Sequence, residues 1–186
     1  HYILPYCPRC STVLSNHELN LGGYMNIQDP AITVRFKVKG EDNTYILAWT
    51  TTPWTLPSNL ALTVGPDITY VKVKDGDEYY YLGKDVLLNY YKSEEEYEIV
   101  EELTGTQLKD TPYEPLFPYF SELEETGAFR VFVADYVSTE EGTGIVHTAP
   151  GFGEEDYNTL KDTEIPTICP LDAEGKFTEE VSDYNE

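Results

Sequence analysis

The sequence has few basic residues and no long apolar run. Only 12 of its 186 residues are lysine or arginine, against 34 aspartates and glutamates, which gives a formal net charge of −22. Such a charge repels nucleic acid at long range, so any phosphate contacts would come mostly from elsewhere in a larger protein. No stretch reaches the length of about 18 apolar residues that a membrane-spanning helix needs, so we expect no contact with a membrane.

Cysteine is also scarce, and its scarcity bears on the compartment. Three cysteines do not make a disulfide framework. The first residues, HYILPYCPRC, lack the basic start and the apolar run of a secretory signal, and the chain does not begin with methionine. We therefore expect residues 1–186 to be a single cytoplasmic domain and a fragment of a longer protein. With 186 residues, of which 40% are hydrophobic, the chain is large enough to have its own core.

Cys7 and Cys10 form a CxxC motif, which is half of a tetrahedral zinc site. The one further cysteine is Cys169, and His1 and His17 have no obvious ligand spacing with the pair. We expect no complete zinc site in this chain. A redox role is disfavoured as well, because no βαβ pattern surrounds the motif.

Short strands dominate the hydrophobic pattern. Residues 31–39 alternate, with Ile32, Val34, Phe36 and Val38 on one side, as in a half-buried strand. Few helices are expected, so the pattern favours an α+β, β-dominated fold: a closed or nearly closed β-barrel decorated by short α-helices. The predicted strands are 31–39, 45–49, 60–64, 69–74, 78–82, 129–137 and 144–148. The predicted helices are 84–92, 119–126 and 153–161.

Two segments combine residues suited to chemistry. Residues 49–59 read WTTTPWTLPSN, and residues 142–157 read GTGIVHTAPGFGEEDY. Taken alone, the threonines suit a strand end before a proline turn, and the acids suit the start of a helix. If the two segments face each other, they form a small hydroxyl-lined cavity with an anion at its rim. Such a cavity suits a small amino acid with a positively charged amine.

Together these segments closely resemble the editing domain of isoleucyl-tRNA synthetases, an insertion within the Rossmann catalytic domain of class I enzymes. The flanks agree, with PYCPRCSTVLSNHE before the first segment, FVADYVSTEEGTG leading into the second and TICPLDAEGKFT after it. Related valyl and leucyl domains usually carry arginine and an acid beside the proline. TTTPWT is the isoleucyl form.

The resemblance implies hydrolysis of valyl-tRNA(Ile), with valyl-adenylate as a second candidate substrate. Isoleucine and valine differ by one methylene, which is worth about 1–3 kcal/mol in a hydrophobic pocket, and these synthetases are the usual example of that limit. A second, smaller pocket admits valine and refuses isoleucine. The partners implied are the 3′ end of tRNA(Ile) and the rest of the synthetase. No cofactor is expected for editing, and zinc remains possible in the parent enzyme, where a second CxxC beyond the chain would complete the site.

Roles follow from the resemblance at the matching positions. Asp156 would pair with the α-ammonium group of the substrate, and His147 would shape the pocket floor and help to exclude the larger side chain. The threonines would line the pocket and hold the ester and an attacking water. Since no nucleophile has an adjacent base, we expect direct attack by water. The expected catalytic set is Thr50, Thr51, Thr52, His147 and Asp156, with Trp54 and Asn59 added as wall or support residues for substrate binding.

Three alternatives stay open from the sequence. The domain could edit with valyl or leucyl specificity, or it could be a non-catalytic binding insertion that keeps the fold. A metal-dependent hydrolase is the weakest reading, because three histidines without HExxH-type spacing give a metal little to bind.

Overall fold

A computed structural model describes residues 3–22, 25 and 27–185 of the chain. Most of the regular structure in these residues is sheet. The strands are β1 (Tyr6–Cys7), β2 (Thr12–Val13), β3 (Ile32–Lys37), β4 (Thr44–Thr50), β5 (Ala61–Val64), β6 (Thr69–Asp75), β7 (Glu78–Gly83), β8 (Glu98–Thr104), β9 (Arg130–Val133) and β10 (Ile145–Thr148). The α-helices are α1 (Asn16–Asn20), α2 (Leu87–Tyr90), α3 (Gly105–Leu108) and α4 (Glu154–Leu160).

Short 3₁₀ helices connect several strands. They span Pro53–Ser58, Lys84–Val86, Glu94–Glu96, Ser121–Thr126 and Glu179–Tyr184. None of the helices within the described residues is both long and apolar enough to cross a membrane.

Strand β4 organises the main sheet. Its neighbours follow the order β8-β6-β7-β4-β10-β5-β9, and β3 pairs with β4 as an antiparallel partner. Because β3 covers the whole of one edge, β7 and β10 share the other edge of β4 as parallel partners. Two segments far apart in the sequence, β4 and β10, thus lie side by side.

The sheet curls, but strand pairing alone does not close it into a barrel. In the described part of the chain, the segment around Pro112 lies between β3 and β9 and makes isolated bridges, Val38 with Tyr113 on one side and Pro112 with Arg130 on the other. Pro112 has no N–H to donate, so this segment cannot form a continuous ladder. The expectation of a closed or nearly closed barrel is therefore met only in part, because the sheet is curled like a half-barrel, is not fully closed and carries short helices.

The main core lies inside the curled sheet. The apolar side chains that alternate along β3 are buried in it only in part. Phe36 and Val38 are 1% and 2% exposed, whereas Ile32 at the start of the strand is 38% exposed. A second, smaller cluster lies between β6, β7 and α2 and contains Val71, Leu82 and Leu87. The half-buried pattern is thus confirmed for the second half of the strand.

Several predicted elements differ from the observed ones. Strand β8 was not predicted, because six of its seven residues are exposed and its conformation depends on pairing with β6. Predicted strand 129–137 ends at Val133, predicted helix 84–92 divides into a 3₁₀ turn and α2, and predicted helix 119–126 is 3₁₀ from Ser121.

Candidate active site

Pairing between β10 and β4 brings the two chemical segments together. Val146 is the register partner of Trp49, and the Leu60 N–H donates to the Thr148 carbonyl over 3.1 Å. Gly142 makes the approach possible, because a Cβ on this residue would lie 2.8 Å from the Trp49 side chain and its φ is +70°. The end of β4 and the middle of β10 therefore form one wall.

A cavity of about 310 Å³ lies against this wall. Six of the seven expected site residues line it, and Asn59 does not. The residues that sequence reasoning did not anticipate come from the same strands and loops. The full lining is Trp49, Thr50, Thr51, Thr52, Trp54, Thr55, Val146, His147, Phe152, Gly153 and Asp156.

The three threonines differ in their surroundings. Thr50 is 7% exposed, and its hydroxyl accepts the Thr52 N–H over 3.0 Å, which fixes the turn after β4. Thr51 and Thr52 are exposed and face the cavity. The Thr52 hydroxyl lies 3.3 Å from the Thr50 hydroxyl. Thr50 thus holds the loop, and its two neighbours offer hydroxyl groups to a ligand.

Asp156 supplies the carboxylate at the opposite side of the cavity. It lies in the first turn of α4, and its Oδ2 accepts the Ala149 N–H over 2.8 Å. Gly153 leaves room for it, since a Cβ there would lie 3.0 Å from the Asp156 Cγ. Burial raises the pKa of Asp156 to about 6. The hydrogen bond from the Ala149 N–H lowers this pKa, and the negative charge of nearby Glu155 raises it. The second carboxylate oxygen remains for a ligand.

His147 borders the cavity as a buried, neutral ring. It is 6% exposed, and burial lowers its pKa to about 4. Its Nε2 lies 2.8 Å from the Thr55 hydroxyl, and its Nδ1 lies 2.8 Å from the Asn59 amide nitrogen. Because both nitrogens are engaged, the ring contributes its shape to the cavity rather than a free base.

Trp54 lines the cavity, whereas Asn59 does not. Trp54 forms part of the rim, is 53% exposed and meets the Phe152 ring edge-on at 5.5 Å between centroids. Asn59 is 4% exposed and lies behind His147, away from the cavity wall. Of the two, only Trp54 can meet a ligand directly.

The CxxC motif does not form a metal centre with other groups of the described chain. No cluster of three or more His, Cys, Asp or Glu side chains suited to a metal occurs within residues 3–22, 25 and 27–185. The pKa of the Cys7 thiol is lowered, chiefly by a hydrogen bond from the backbone of Cys10. Two thiols supply half of the ligands that a structural zinc requires.

A larger groove of about 720 Å³ lies on the other side of Trp54 and Phe152. It is bounded by the amino-terminal residues from Ile3 to Pro8 and by the turn around Asp172. None of the threonines of the first segment, His147 or Asp156 lines it. Of these two cavities the smaller is the better candidate, because it combines several threonine hydroxyl groups with the half-buried carboxylate of Asp156.

Comparison with known proteins relates this chain to isoleucine–tRNA ligases. No protein-family model matches it. It is 52% identical over 216 residues to the isoleucine–tRNA ligase of Treponema denticola, in a match that covers 99% of the chain and 20% of that protein. It is 50% identical over 189 residues to the enzyme of Bdellovibrio bacteriovorus, covering 98% of the chain and 17% of that protein. The chain thus spans about a fifth of the length of these relatives.

Solved structures show the same fold. The crystal structure titled GlLeuRS-CP1 matches with a TM-score of 0.60 at 21% identity, over 72% of this chain and 59% of that one. The editing domain of the P. knowlesi cytosolic leucyl-tRNA synthetase matches with a TM-score of 0.55 at 15% identity, over 75% of this chain and 64% of that one. By sequence, nearly the whole chain thus corresponds to a segment of isoleucine–tRNA ligases, and its fold is that of the leucyl-tRNA synthetase editing domains.

Proposed function

We propose that this domain hydrolyses the ester of valyl-tRNA(Ile) and spares isoleucyl-tRNA(Ile). One observation carries the proposal. Two exposed threonines, the half-buried Asp156 carboxylate and the neutral His147 ring line one cavity of about 310 Å³. That set of groups suits a short branched side chain, an ammonium group and an ester bond.

Recognition of the substrate would begin at its amine. An ammonium group placed against Asp156 forms a charge-assisted hydrogen bond, which orients the aminoacyl group. The buried His147 ring then bounds the space for the side chain, so that the extra methylene of isoleucine meets the ring. A single methylene is worth about 1–3 kcal/mol, and a second selection step multiplies the discrimination of the first.

Hydrolysis would follow by direct attack of water. The water oxygen bonds to the ester carbonyl carbon, the bond from that carbon to the ribose oxygen breaks, and a proton of the water passes to the ribose oxygen. The hydroxyls of Thr51 and Thr52, which line the cavity, would hold the water and the carbonyl. His147 does not serve as the base because both of its nitrogens already have partners.

The same chemistry bears on partners and cofactors. Valyl-adenylate carries the same aminoacyl group, so it is a second substrate under this proposal. The net charge of −22 places most phosphate contacts with tRNA on the rest of the synthetase. We propose no metal or organic cofactor for the hydrolytic step, and any zinc held by Cys7 and Cys10 would need ligands from the rest of the parent enzyme.

Deacylation of purified aminoacyl-tRNAs tests the proposal. The chain should hydrolyse valyl-tRNA(Ile) about 100-fold faster than isoleucyl-tRNA(Ile) at equal concentration. Mischarged tRNA(Val) and tRNA(Leu) are the matched substrates for the valyl and leucyl alternatives. Faster hydrolysis of either would reassign the specificity. Rates equal to those in buffer for all of them would indicate a non-catalytic insertion.

The pH dependence of hydrolysis is expected to report Asp156. Only the ionised carboxylate pairs with an ammonium group, and burial raises its pKa to about 6 in the free domain. The kcat/KM for valyl-tRNA(Ile) should therefore rise as the pH rises through about 6 and then level off. The measurement covers about pH 5 to 8, with buffer hydrolysis subtracted. A profile without this inflection would remove Asp156 from substrate recognition.

A further inference from the structure

Tyr113 lies in the core, outside the cavity, and its hydroxyl points toward the site. The residue is 0% exposed, and its ring packs edge-on against Phe36 at 5.2 Å and Phe129 at 6.2 Å between centroids. Its N–H donates to the Phe129 carbonyl over 2.9 Å. Its hydroxyl donates to the Asn59 side-chain oxygen over 2.6 Å. The ring is thus packed between other core aromatic side chains, and its hydroxyl group has one acceptor.

This contact fixes the orientation of the Asn59 amide. The amide oxygen takes the Tyr113 proton, so the amide nitrogen faces the other way. Its two hydrogens then go to the Ala61 carbonyl at 2.9 Å and to His147 Nδ1 at 2.8 Å. A flipped amide would set its oxygen against the Ala61 carbonyl, and two acceptors repel each other. The Ala61 carbonyl, which can only accept, therefore requires this orientation, and the hydrogen bond from the Tyr113 hydroxyl stabilises it further.

The orientation of Asn59 in turn assigns the tautomer of His147. Nδ1 must accept a hydrogen bond, so the proton of the neutral ring sits on Nε2 and is donated to the Thr55 hydroxyl over 2.8 Å. The Thr55 hydroxyl is then free to donate to the Thr52 carbonyl, also over 2.8 Å. Each donor hydrogen from the Tyr113 hydroxyl through Asn59 and His147 to the Thr55 hydroxyl thus has one acceptor.

We propose that Tyr113 is a positioning residue of the editing site, which sets the tautomer and the angle of the His147 ring through Asn59. The path ends at the Thr52 carbonyl, in the loop that presents the hydroxyl groups. A residue that does not touch the substrate would thereby control both the steric wall and the threonine loop. The inference rests on the proposed function for its effect on specificity, but the tautomer itself can be observed without any substrate.

The test is a Tyr113→Phe substitution, which removes only the hydroxyl group. Asn59 then loses the donor to its side-chain oxygen and keeps only the Ala61 carbonyl to orient its amide, so the flipped amide and the other His147 tautomer become populated. We expect nitrogen NMR of the wild-type His147 imidazole to show the Nε2-protonated form, and the variant to show a mixture of the two forms. The preference for valyl over isoleucyl ester should fall by about fivefold to tenfold, the equivalent of one hydrogen bond. His147→Ala identifies the resonances.

Tyr70→Phe is the matched control. Tyr70 is also 0% exposed, and its hydroxyl accepts the Gly65 N–H at 2.9 Å and donates to the Gly144 carbonyl at 2.6 Å, without contact to Asn59 or His147. It should lose similar stability and keep both the tautomer and the preference for valine.

The outcomes separate the two proposals. An Nδ1-protonated ring in the wild-type chain, or a tautomer unchanged by Tyr113→Phe, would overturn the positioning role whatever the deacylation rates are. If Tyr113→Phe does not fold, the wild-type tautomer still decides. A wild-type domain that shows the Nε2 form but hydrolyses no ester would support the hydrogen-bond path and count against the proposed function.

Discussion

Replacing Asp156 with asparagine is expected to slow hydrolysis of valyl-tRNA(Ile) by about 100-fold, the equivalent of a lost charge-assisted hydrogen bond. Asparagine keeps an oxygen that can accept the Ala149 N–H, which Asp156 now accepts over 2.8 Å. Alanine would leave that N–H without its partner, so asparagine isolates the charge. Single-turnover deacylation at about pH 7.5 measures the effect.

The substrate offers the matched change. A tRNA(Ile) ester of 2-hydroxyisovaleric acid replaces the ammonium group of valine by a hydroxyl group of similar size. If Asp156 binds the ammonium group, this ester should react slowly with the wild-type domain and no more slowly with Asp156→Asn. The two changes would then be strongly non-additive. Additive losses, or a normal rate for the variant with valyl-tRNA(Ile), would place the amine elsewhere.

The same variant should be more stable than the wild type at neutral pH. The folded-state pKa of Asp156 is about 6, above its ordinary value of 3.8, so folding favours the protonated form. The stabilisation of the folded state by the protonated Asp156 carboxyl is present in full below about pH 4 and is lost as the pH rises through about 6. At about pH 7.5 the asparagine variant should therefore gain about 2 kcal/mol in free energy of unfolding. Urea denaturation at about pH 5 and 7.5 compares the two proteins, and a variant that is less stable at both would contradict the buried charge.

Replacing His147 with alanine is expected to remove the discrimination against isoleucine. The ring is 6% exposed and forms part of the cavity wall, so its loss opens space for at least one methylene group. Hydrolysis of isoleucyl-tRNA(Ile) should rise by about 10- to 100-fold, while hydrolysis of valyl-tRNA(Ile) should change less. The ratio of the two single-turnover rates is the measurement.

Loss of stability needs its own control here. The change leaves Thr55 and Asn59 without their imidazole partners, which costs about 2 kcal/mol. Leu82→Ala, in the second core cluster and away from the cavity, should destabilise the domain to a similar or larger degree without changing the ratio. A His147→Ala variant that still prefers valine as strongly as the wild type would show that the ring does not form the steric barrier.

The sequence predicted the residues that line the cavity better than the residues behind them that hold them in position. Thr50 to Thr52 and Asp156 stand next to a strand end and a helix start, and these local signals are visible in any sequence. Their meeting depends on β10 lying parallel to β4, with Val146 beside Trp49. No local pattern specifies that pairing. It was expected only because the two segments together resemble a known family.

The supports follow from contacts that sequence patterns do not encode. Tyr113 stands 54 positions from Asn59, and Asn59 stands 88 positions from His147, yet each pair is hydrogen bonded. Asn59 was expected as a wall or support residue, and after the Pro53–Ser58 turn it lies behind His147 and does not line the cavity. Strand β8 was missed for a related reason, since its exposed glutamates give no alternation and only β6 holds it extended.

A crystal structure of this chain with a non-hydrolysable valyl-adenosine analogue tests the central claim most directly. The account predicts the valyl amine within hydrogen-bonding distance of the Asp156 carboxylate and the isopropyl group against the His147 ring. The acyl linkage should face the hydroxyls of Thr51 and Thr52. Density for the analogue in the larger groove beyond Trp54, with the cavity of about 310 Å³ left empty, would contradict it.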